Sequence, residues 1–173
     1  VRRDYSYESL TDKQDMKLTE IDDNAPSNRA DIVAEAKKNA AKIGKFNAKD
    51  GSVSVYVNDI GKDVIISKSG LIHGLDRRIN RLAPVTVKAG SIIQNSVLIN
   101  ELTPSRHEAE ASYVLIGAAT DKAGDIYIVR SVVNRFSNEL ASMDVLYAIN
   151  AKKGTAAPEA PSVSTPNYRT TIS

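Results

Sequence analysis

A helical repeat of apolar residues is the first regular pattern along the chain. The apolar positions recur at intervals of three and four residues: Ile32, Val33, Ala36, Ala40 and Ile43. Ser27 or Asn28 can cap such a helix at its start, and Gly44 lies where the helix would end. The sequence therefore predicts an amphipathic helix. Its opposite, polar face carries three lysines: Lys37, Lys38 and Lys42.

Alternating apolar and polar residues follow this helix and indicate strands. Val53, Val55 and Val57 alternate with polar neighbours, which is the two-residue period of a half-buried strand. Residues 58–62 have the composition of a turn, and residues 63–67 can return as the second arm of a hairpin.

Two further helices are predicted in the middle of the chain. A short one covers residues 70–81 and is capped by Ser69. A stronger one follows Pro84 and is capped by Thr86. Its inner stripe contains five residues: Ala89, Ile92, Ile93, Ser96 and Val97.

The last third of the chain contains three runs rich in valine, isoleucine and tyrosine. They cover residues 112–119, 125–134 and 143–150, and short turns separate them. Consecutive strands with short connections form an antiparallel meander. The predicted fold class is therefore α+β, with N-terminal helices packed on an antiparallel β-sheet meander of about four strands.

Charge and composition divide the chain into three parts. Residues 1–28 contain 4 Lys and Arg against 7 Asp and Glu and form an acidic lead-in. Residues 29–153 contain 18 against 13 and form the predicted domain. Residues 154–173 are rich in Pro, Ala, Ser and Thr and are predicted to be a linker. The chain begins at Val1 without an initiator methionine, so we expect it to be part of a longer protein.

Several classes of function are disfavoured by what the sequence lacks. It contains no cysteine, so disulfides and thiolate chemistry are excluded. It has no phosphate-binding glycine loop, no dinucleotide fingerprint and no serine nucleophile motif, and its histidines and carboxylates do not show metal-ligand spacing. No cofactor or metal is therefore predicted. No apolar run approaches the roughly 18 residues of a membrane span, so we expect no membrane partner and a bacterial cytoplasmic location, or delivery into a target cell.

Residues 67–78 contain the densest set of chemically active side chains. On a helix, His73 lies one turn after Ser69 and one turn before Arg77, so these side chains can share a face. Histidine can act as an acid or base near neutral pH, and cations can stabilise a developing phosphorane. The candidates for catalysis are His73 and Lys68. Those for substrate binding are Ser67, Ser69, Arg77 and Arg78. The alternative is that His73 caps or packs and that Arg77, Arg78 and Arg81 form a solvated helix face.

Three other residues are candidates for weaker reasons. His107 lies in a polar loop at 103–108, where functional residues are common but where an exposed histidine is also ordinary. Arg130 shares a strand face with Ile128 and Val132, so it requires a charge partner or a functional site. Tyr147 lies in the last strand, where the simplest interpretation is a packed aromatic ring with a hydrated hydroxyl group.

Four stretches of the chain together resemble a known family. They are residues 63–75 (DVIISKSGLIHGL), 113–117 (YVLIG), 127–133 (YIVRSVV) and 145–149 (VLYAI). These resemble nuclease-like modules of the barnase–EndoU–colicin–RelE superfamily that occur in polyvalent proteins of phages and conjugative elements. The opening residues 5–10 (YSYESL) are similar to the segment that connects to such modules.

The resemblance implies helices packed on a four-stranded antiparallel sheet and a toxin or effector domain with metal-independent endoribonuclease activity. In that family pattern His73 would be the acid/base, Lys68 a phosphate contact and Arg130 a transition-state cation. Tyr147 would be a supporting contact, and His107 or Glu101 would fill the place of a second acid/base. RNA would be the partner, together with immunity or carrier-protein domains. The alternative function is a non-catalytic RNA- or protein-binding module of the same fold.

Overall fold

A computed structural model of the protein describes residues 17–75, 79–103, 109–136 and 140–151. These residues form eight strands and four helices. The strands are β1 (Leu18–Glu20), β2 (Lys45–Asn47), β3 (Ser52–Val57), β4 (Lys62–Ile65), β5 (Val97–Leu102), β6 (Ala109–Thr120), β7 (Ile126–Phe136) and β8 (Ala141–Ala151). The helices are α1 (Arg29–Ile43), α2 (Lys68–Leu75), α3 (Ile79–Thr86) and α4 (Ala89–Gln94).

All eight strands belong to one mixed sheet. Its order is β1-β6-β7-β8-β4-β3-β2, and β5 pairs with the edge of β6 that β1 also occupies. β6, β7 and β8 form the long antiparallel centre, whereas β1 runs parallel to β6. A short parallel pairing of Val64 and Ile65 with Ala141 and Ser142 joins the β3–β4 hairpin to β8. The sheet is therefore continuous from the β2 edge to the β1 and β5 edge.

The predicted fold class, N-terminal helices on a four-stranded meander, is wrong. The sheet has eight strands among the described residues, it is mixed, and three of the helices lie in the middle of the chain. β1 and β2 contain three residues each, which is too short to show a two-residue period. The sequence did not predict β5 because Ser96 and Val97 continue the helical spacing of the apolar residues of α4. The helix ends at Gln94, and the Ser96 hydroxyl donates a hydrogen bond to the Ile92 carbonyl oxygen at 2.7 Å.

Several individual elements are confirmed. Asn28 caps α1, since its side-chain oxygen accepts a 2.9 Å hydrogen bond from the Asp31 amide. The buried stripe of α1 consists of Ile32, Val33, Ala36 and Ala40, whereas Ile43, which was predicted to belong to it, is 40% exposed. The β3–β4 hairpin and the β6–β7–β8 meander form as the alternation of residues predicts. Pro84 and Thr86, by contrast, lie inside α3 instead of between two helices, and α4 begins after Lys88.

The two faces of the sheet carry separate apolar clusters. The larger cluster contains buried side chains from all four helices together with Val129 and Val133 of β7. The smaller cluster lies on the opposite face and includes Ile126 and Ile128. Because side chains alternate along a strand, Arg130 belongs to the face of Ile128, and Ser131 belongs to the helix face. This division decides which candidate site residues can meet.

Candidate functional site

The N-terminus of α2 is built on Ser67. Its hydroxyl oxygen accepts a 3.0 Å hydrogen bond from the Gly70 amide, which is the geometry of an N-cap. The same hydroxyl lies 3.3 Å from the Met143 carbonyl oxygen of β8 and donates to it. The cap is therefore Ser67, not the predicted Ser69, and α2 begins at Lys68. The predicted substrate-binding hydroxyl of Ser67 serves first to fix α2 on β8.

Gly70 allows α2 to lie directly against the backbone of β8. A Cβ atom at this position would overlap the Met143 carbonyl oxygen, and it would also lie 3.0 Å from the Ser67 hydroxyl oxygen. Only a residue without a side chain permits this approach. The contact places the next turn of α2, which contains His73, beside residue 144.

A β-bulge in β8 provides the partner of His73. Val132 pairs with Val145 and Val133 pairs with Met143, so Asp144 is the extra residue of the bulge. The Asp144 carbonyl oxygen lies 3.1 Å from Nδ1 of His73. A carbonyl can only accept a hydrogen bond, so this contact requires the proton of the neutral ring to be on Nδ1.

The chemical consequence is a histidine with a fixed tautomer at an exposed position. When Nδ1 carries the proton, Nε2 has the lone pair and can accept a proton from a bound hydroxyl group. His73 is exposed, so a substrate can reach it. A ring held by a main-chain carbonyl through one nitrogen is the arrangement that general bases in enzymes commonly use.

Two hydroxyl groups and a lysine accompany His73. The hydroxyl oxygens of Ser67 and Ser69 lie 3.4 Å apart, and Ser69 precedes His73 by one helical turn. Lys68 is the exposed first residue of α2. Hydroxyl and ammonium groups at this end of a helix can donate hydrogen bonds to the oxygens of a phosphodiester. The structure thus places Ser69 and His73 on one face of α2, with Ser67 at its N-cap and Lys68 at its first position.

Arg130 lies on the other side of the sheet from this group. It is 3% exposed, it pairs in register with Tyr147 of β8, and its face is that of the smaller apolar cluster. The leucines of α2 pack with the larger cluster on the helix face. The backbone of the sheet therefore separates Arg130 from His73. His107, Arg77 and Arg78 lie outside the described residues, and Glu101 is exposed on β5.

Sequence reasoning missed the two backbone features that shape the site, the Met143 contact with Gly70 and the Asp144 carbonyl oxygen. Both depend on the packing of α2 on β8, a contact across about seventy residues of chain. The only local sign of this packing in the sequence was a glycine, Gly70, that closely follows Ser67 and Ser69.

A concavity of about 330 Å³ lies away from His73, at the end of the sheet where β1 meets β6. It is lined by Glu20, Ile21, Asp22, Lys88, Thr120, Asp121 and Lys122. At this end the Tyr127 hydroxyl donates a 3.0 Å hydrogen bond to the Asp121 carboxylate. Burial first, and then the Asp121 carboxylate, raise the pKa of Tyr127 to about 12. This concavity contains none of the residues that the sequence singled out.

Three general findings complete the description of the site. Within the described ranges, no three His, Asp or Glu side chains are grouped so that they could hold a metal ion. None of the helices in those ranges has the length and apolar character needed to cross a membrane. Comparison of the chain with protein-family models, with curated proteins and with solved structures gives no match. The resemblance to nuclease-like modules therefore rests on the sequence stretches quoted above.

Proposed function

We propose that this domain is a metal-independent endoribonuclease that uses His73 as its acid/base group. The observation that carries the proposal is the hydrogen bond between His73 Nδ1 and the Asp144 carbonyl oxygen, which fixes the tautomer of an exposed ring. The nearby groups of Lys68 and Ser69 supply donors for a phosphodiester, whereas the Ser67 hydroxyl is occupied by the Met143 carbonyl oxygen. The role of a toxin or effector domain in a mobile-element polyvalent protein is part of the same proposal and is supported by the sequence resemblance.

The chemistry follows from the positions of the protons. Nε2 of His73 accepts the proton of a ribose 2′-hydroxyl, and the resulting oxygen attacks the adjacent phosphorus. The bond from phosphorus to the 5′-oxygen breaks, and the imidazolium returns its proton to that leaving oxygen. The products are a 2′,3′-cyclic phosphate and a 5′-hydroxyl end. Lys68 stabilises the extra negative charge on the non-bridging oxygens during the attack.

The decisive experiment compares the full chain with its His73→Asn variant on total RNA in EDTA. An asparagine amide can still donate to the Asp144 carbonyl oxygen, but it has no group in the place of Nε2. We therefore expect a stably folded variant whose cleavage rate falls by about a hundredfold or more. Lys122→Ala, an exposed lysine at the other end of the sheet, is the surface control and should cleave at the wild-type rate. Equal cleavage by wild type and His73→Asn would refute the assignment of His73.

A non-catalytic RNA-binding module is the second candidate. It is favoured by the position of Arg130, since the predicted transition-state cation lies on the opposite face of the sheet from His73. In that case RNA remains intact in EDTA even at high protein concentration, and wild type and His73→Asn bind it equally. Fragments that end in cyclic phosphate, formed by wild type alone, would exclude this candidate.

A further inference from the structure

A continuous basic segment lies away from His73, at the opposite end of the sheet from β6. Residues 36–49 contain five lysines and no acidic residue. They span the second half of α1, the strand β2 and the start of the turn that leads into β3. Lys38, Lys42, Lys45 and Lys49 are exposed. Together with Phe46, we call these four lysines the basic edge.

Phe46 is the unusual member of the basic edge. Its side chain is 61% exposed, more than any other large apolar side chain among the described residues. It lies on β2, the last strand in the order of the sheet, so no further described strand pairs with it there. Leaving an aromatic ring in water forgoes most of the stabilisation that its burial would give. An exposed ring among lysines is a feature that binding surfaces for nucleic acids use.

The lysines of α1 and β2 lie close together because a single residue joins the helix to the strand. α1 ends at Ile43 and β2 begins at Lys45. Gly44 makes this possible, since a Cβ atom there would overlap the Ser54 carbonyl oxygen of β3. A residue with a side chain would force a longer connection. The last turn of α1 and Phe46, which pairs with the buried Val53, therefore lie on the same side of the sheet, whereas Lys45 alternates to the other side.

We propose that the basic edge binds single-stranded RNA, with Phe46 stacked on a base and Lys38, Lys42 and Lys49 on phosphates. Lysines neutralise phosphates and release counterions, and aromatic rings stack only on bases that are unpaired. The choice of RNA over other polyanions rests on the proposed function. Lys45 is held by Asp63 at 3.0 Å, but both side chains are exposed, so this ion pair is weak and is not needed for the interaction.

The basic edge and His73 are close enough to contact one RNA molecule. β2 is separated from β8 by β3 and β4, which is three strand spacings, or about 15 Å along the sheet. α1 and α2 both pack on the helix face between these strands. A strand that is held at Phe46 can therefore continue to His73 within a few nucleotides. The basic edge would supply affinity, and the α2 site would supply chemistry.

The test measures binding separately from cleavage. A fluorescent 2′-O-methyl RNA oligonucleotide cannot be cleaved by attack of a 2′-hydroxyl, so its anisotropy reports affinity alone. We compare wild type, a Lys38→Gln/Lys42→Gln/Lys49→Gln variant and Phe46→Ala over a range of salt concentrations. Tyr56→Ala is the matched aromatic control, because Tyr56 is 49% exposed on β3, and Lys122→Gln is the matched lysine control.

Two different losses are expected. The triple lysine variant should bind more weakly, and its slope of log affinity against log salt should be shallower by about 2, since each single-strand phosphate contact contributes about 0.7. Phe46→Ala should bind about tenfold more weakly with an unchanged salt slope, because stacking does not depend on counterions. All the replaced side chains are exposed, so every variant should keep the far-ultraviolet circular dichroism of the wild type.

Several results would overturn the inference. One is an unchanged affinity and salt slope in the triple lysine variant, and another is equal affinity of Phe46→Ala and Tyr56→Ala. Binding to phosphatidylcholine/phosphatidylserine vesicles without binding to the oligonucleotide would assign the surface to a membrane instead. His73 is tested in the cleavage assay, whereas the basic edge is tested by binding of the uncleavable oligonucleotide. A failure of RNA cleavage and a failure of the basic edge are therefore seen in different assays.

Discussion

Replacing Gly70 by alanine should destabilise the protein, although the same change in an exposed helix usually stabilises. In an ordinary helix interior, Gly→Ala gains about 1 kcal/mol from backbone entropy and helix propensity. Gly70 is buried, and the new methyl group would overlap the Met143 carbonyl oxygen. That oxygen belongs to the backbone of β8, so no rotation of a side chain can relieve the overlap. Either α2 or β8 must shift.

The expected magnitude follows from three contributions. Overpacking at a buried site costs roughly 1–3 kcal/mol. A shift of α2 also weakens the Ser67 cap on the Gly70 amide, and N-caps contribute about 1 kcal/mol. Against these stands the propensity gain of about 1 kcal/mol, which is smaller at the first turn of a helix. The free energy of unfolding of Gly70→Ala should therefore fall by about 2 kcal/mol.

Urea unfolding monitored by circular dichroism measures this change. Ser69→Ala is the matched control: it lies on the same turn of α2, its side chain is exposed, and it adds no methyl group toward β8. It should alter the unfolding free energy by less than about 0.5 kcal/mol. In wild type, imidazole ¹⁵N shifts should show His73 protonated at Nδ1, and Gly70→Ala should lose this preference. A Gly70→Ala protein as stable as wild type, with the tautomer retained, would refute the close packing of α2 on β8.

Three further substitutions test other parts of the structure. The raised pKa of Tyr127, about 12 against about 10 in the unfolded chain, means that the unfolded state releases its proton first as pH rises. Wild type should therefore lose unfolding free energy above about pH 10 relative to Tyr127→Phe, and parallel pH profiles would contradict this. Ser112→Ala should lower the unfolding free energy by about 1–3 kcal/mol, because the buried Asn134 side-chain oxygen loses its 2.6 Å hydrogen bond. Ser131→Ala should be neutral or stabilising, since its buried hydroxyl has no hydrogen-bond partner among the described residues, and a loss like that of Ser112→Ala would show an unrecognised partner.

The spacing of apolar residues predicted the helices and strands that bury one face over several periods. α1, the β3–β4 hairpin and the β6–β8 meander each show several turns of a helical or strand period in the sequence. Spacing did not predict elements that were too short, or whose apolar residues also fitted the period of the preceding element. β1 and β2 have three residues each, and Val97 satisfied the helical spacing of α4 although it begins β5. Periodicity records burial, but it does not record where one element ends and the next begins.

The candidate site could be predicted only in part for a related reason. Ser69 and His73 are four residues apart, so any helix that contains them places their side chains on one face. The face of Arg130 was also predictable, because it alternates in step with Ile128. The face of the sheet on which α2 packs could not be predicted, because it depends on the parallel pairing of β4 with β8 and on the Gly70 contact. Long-range topology, not residue type, determines whether Arg130 and His73 share a site.

The division of the sheet into two faces limits how the proposed cleavage could proceed. A transition-state cation acts through direct contact with the phosphate, at hydrogen-bond distance. Arg130 is 3% exposed on one face, and His73 is exposed on an element that packs against the other. A phosphodiester bound at His73 cannot touch both without a rearrangement of the sheet itself. In the proposed reaction the positive charge would then come from Lys68, the exposed first residue of α2. For the proposed nuclease we therefore expect Lys68→Gln to reduce the rate of RNA cleavage in EDTA, whereas Arg130, buried on the opposite face, is not expected to contact the phosphodiester.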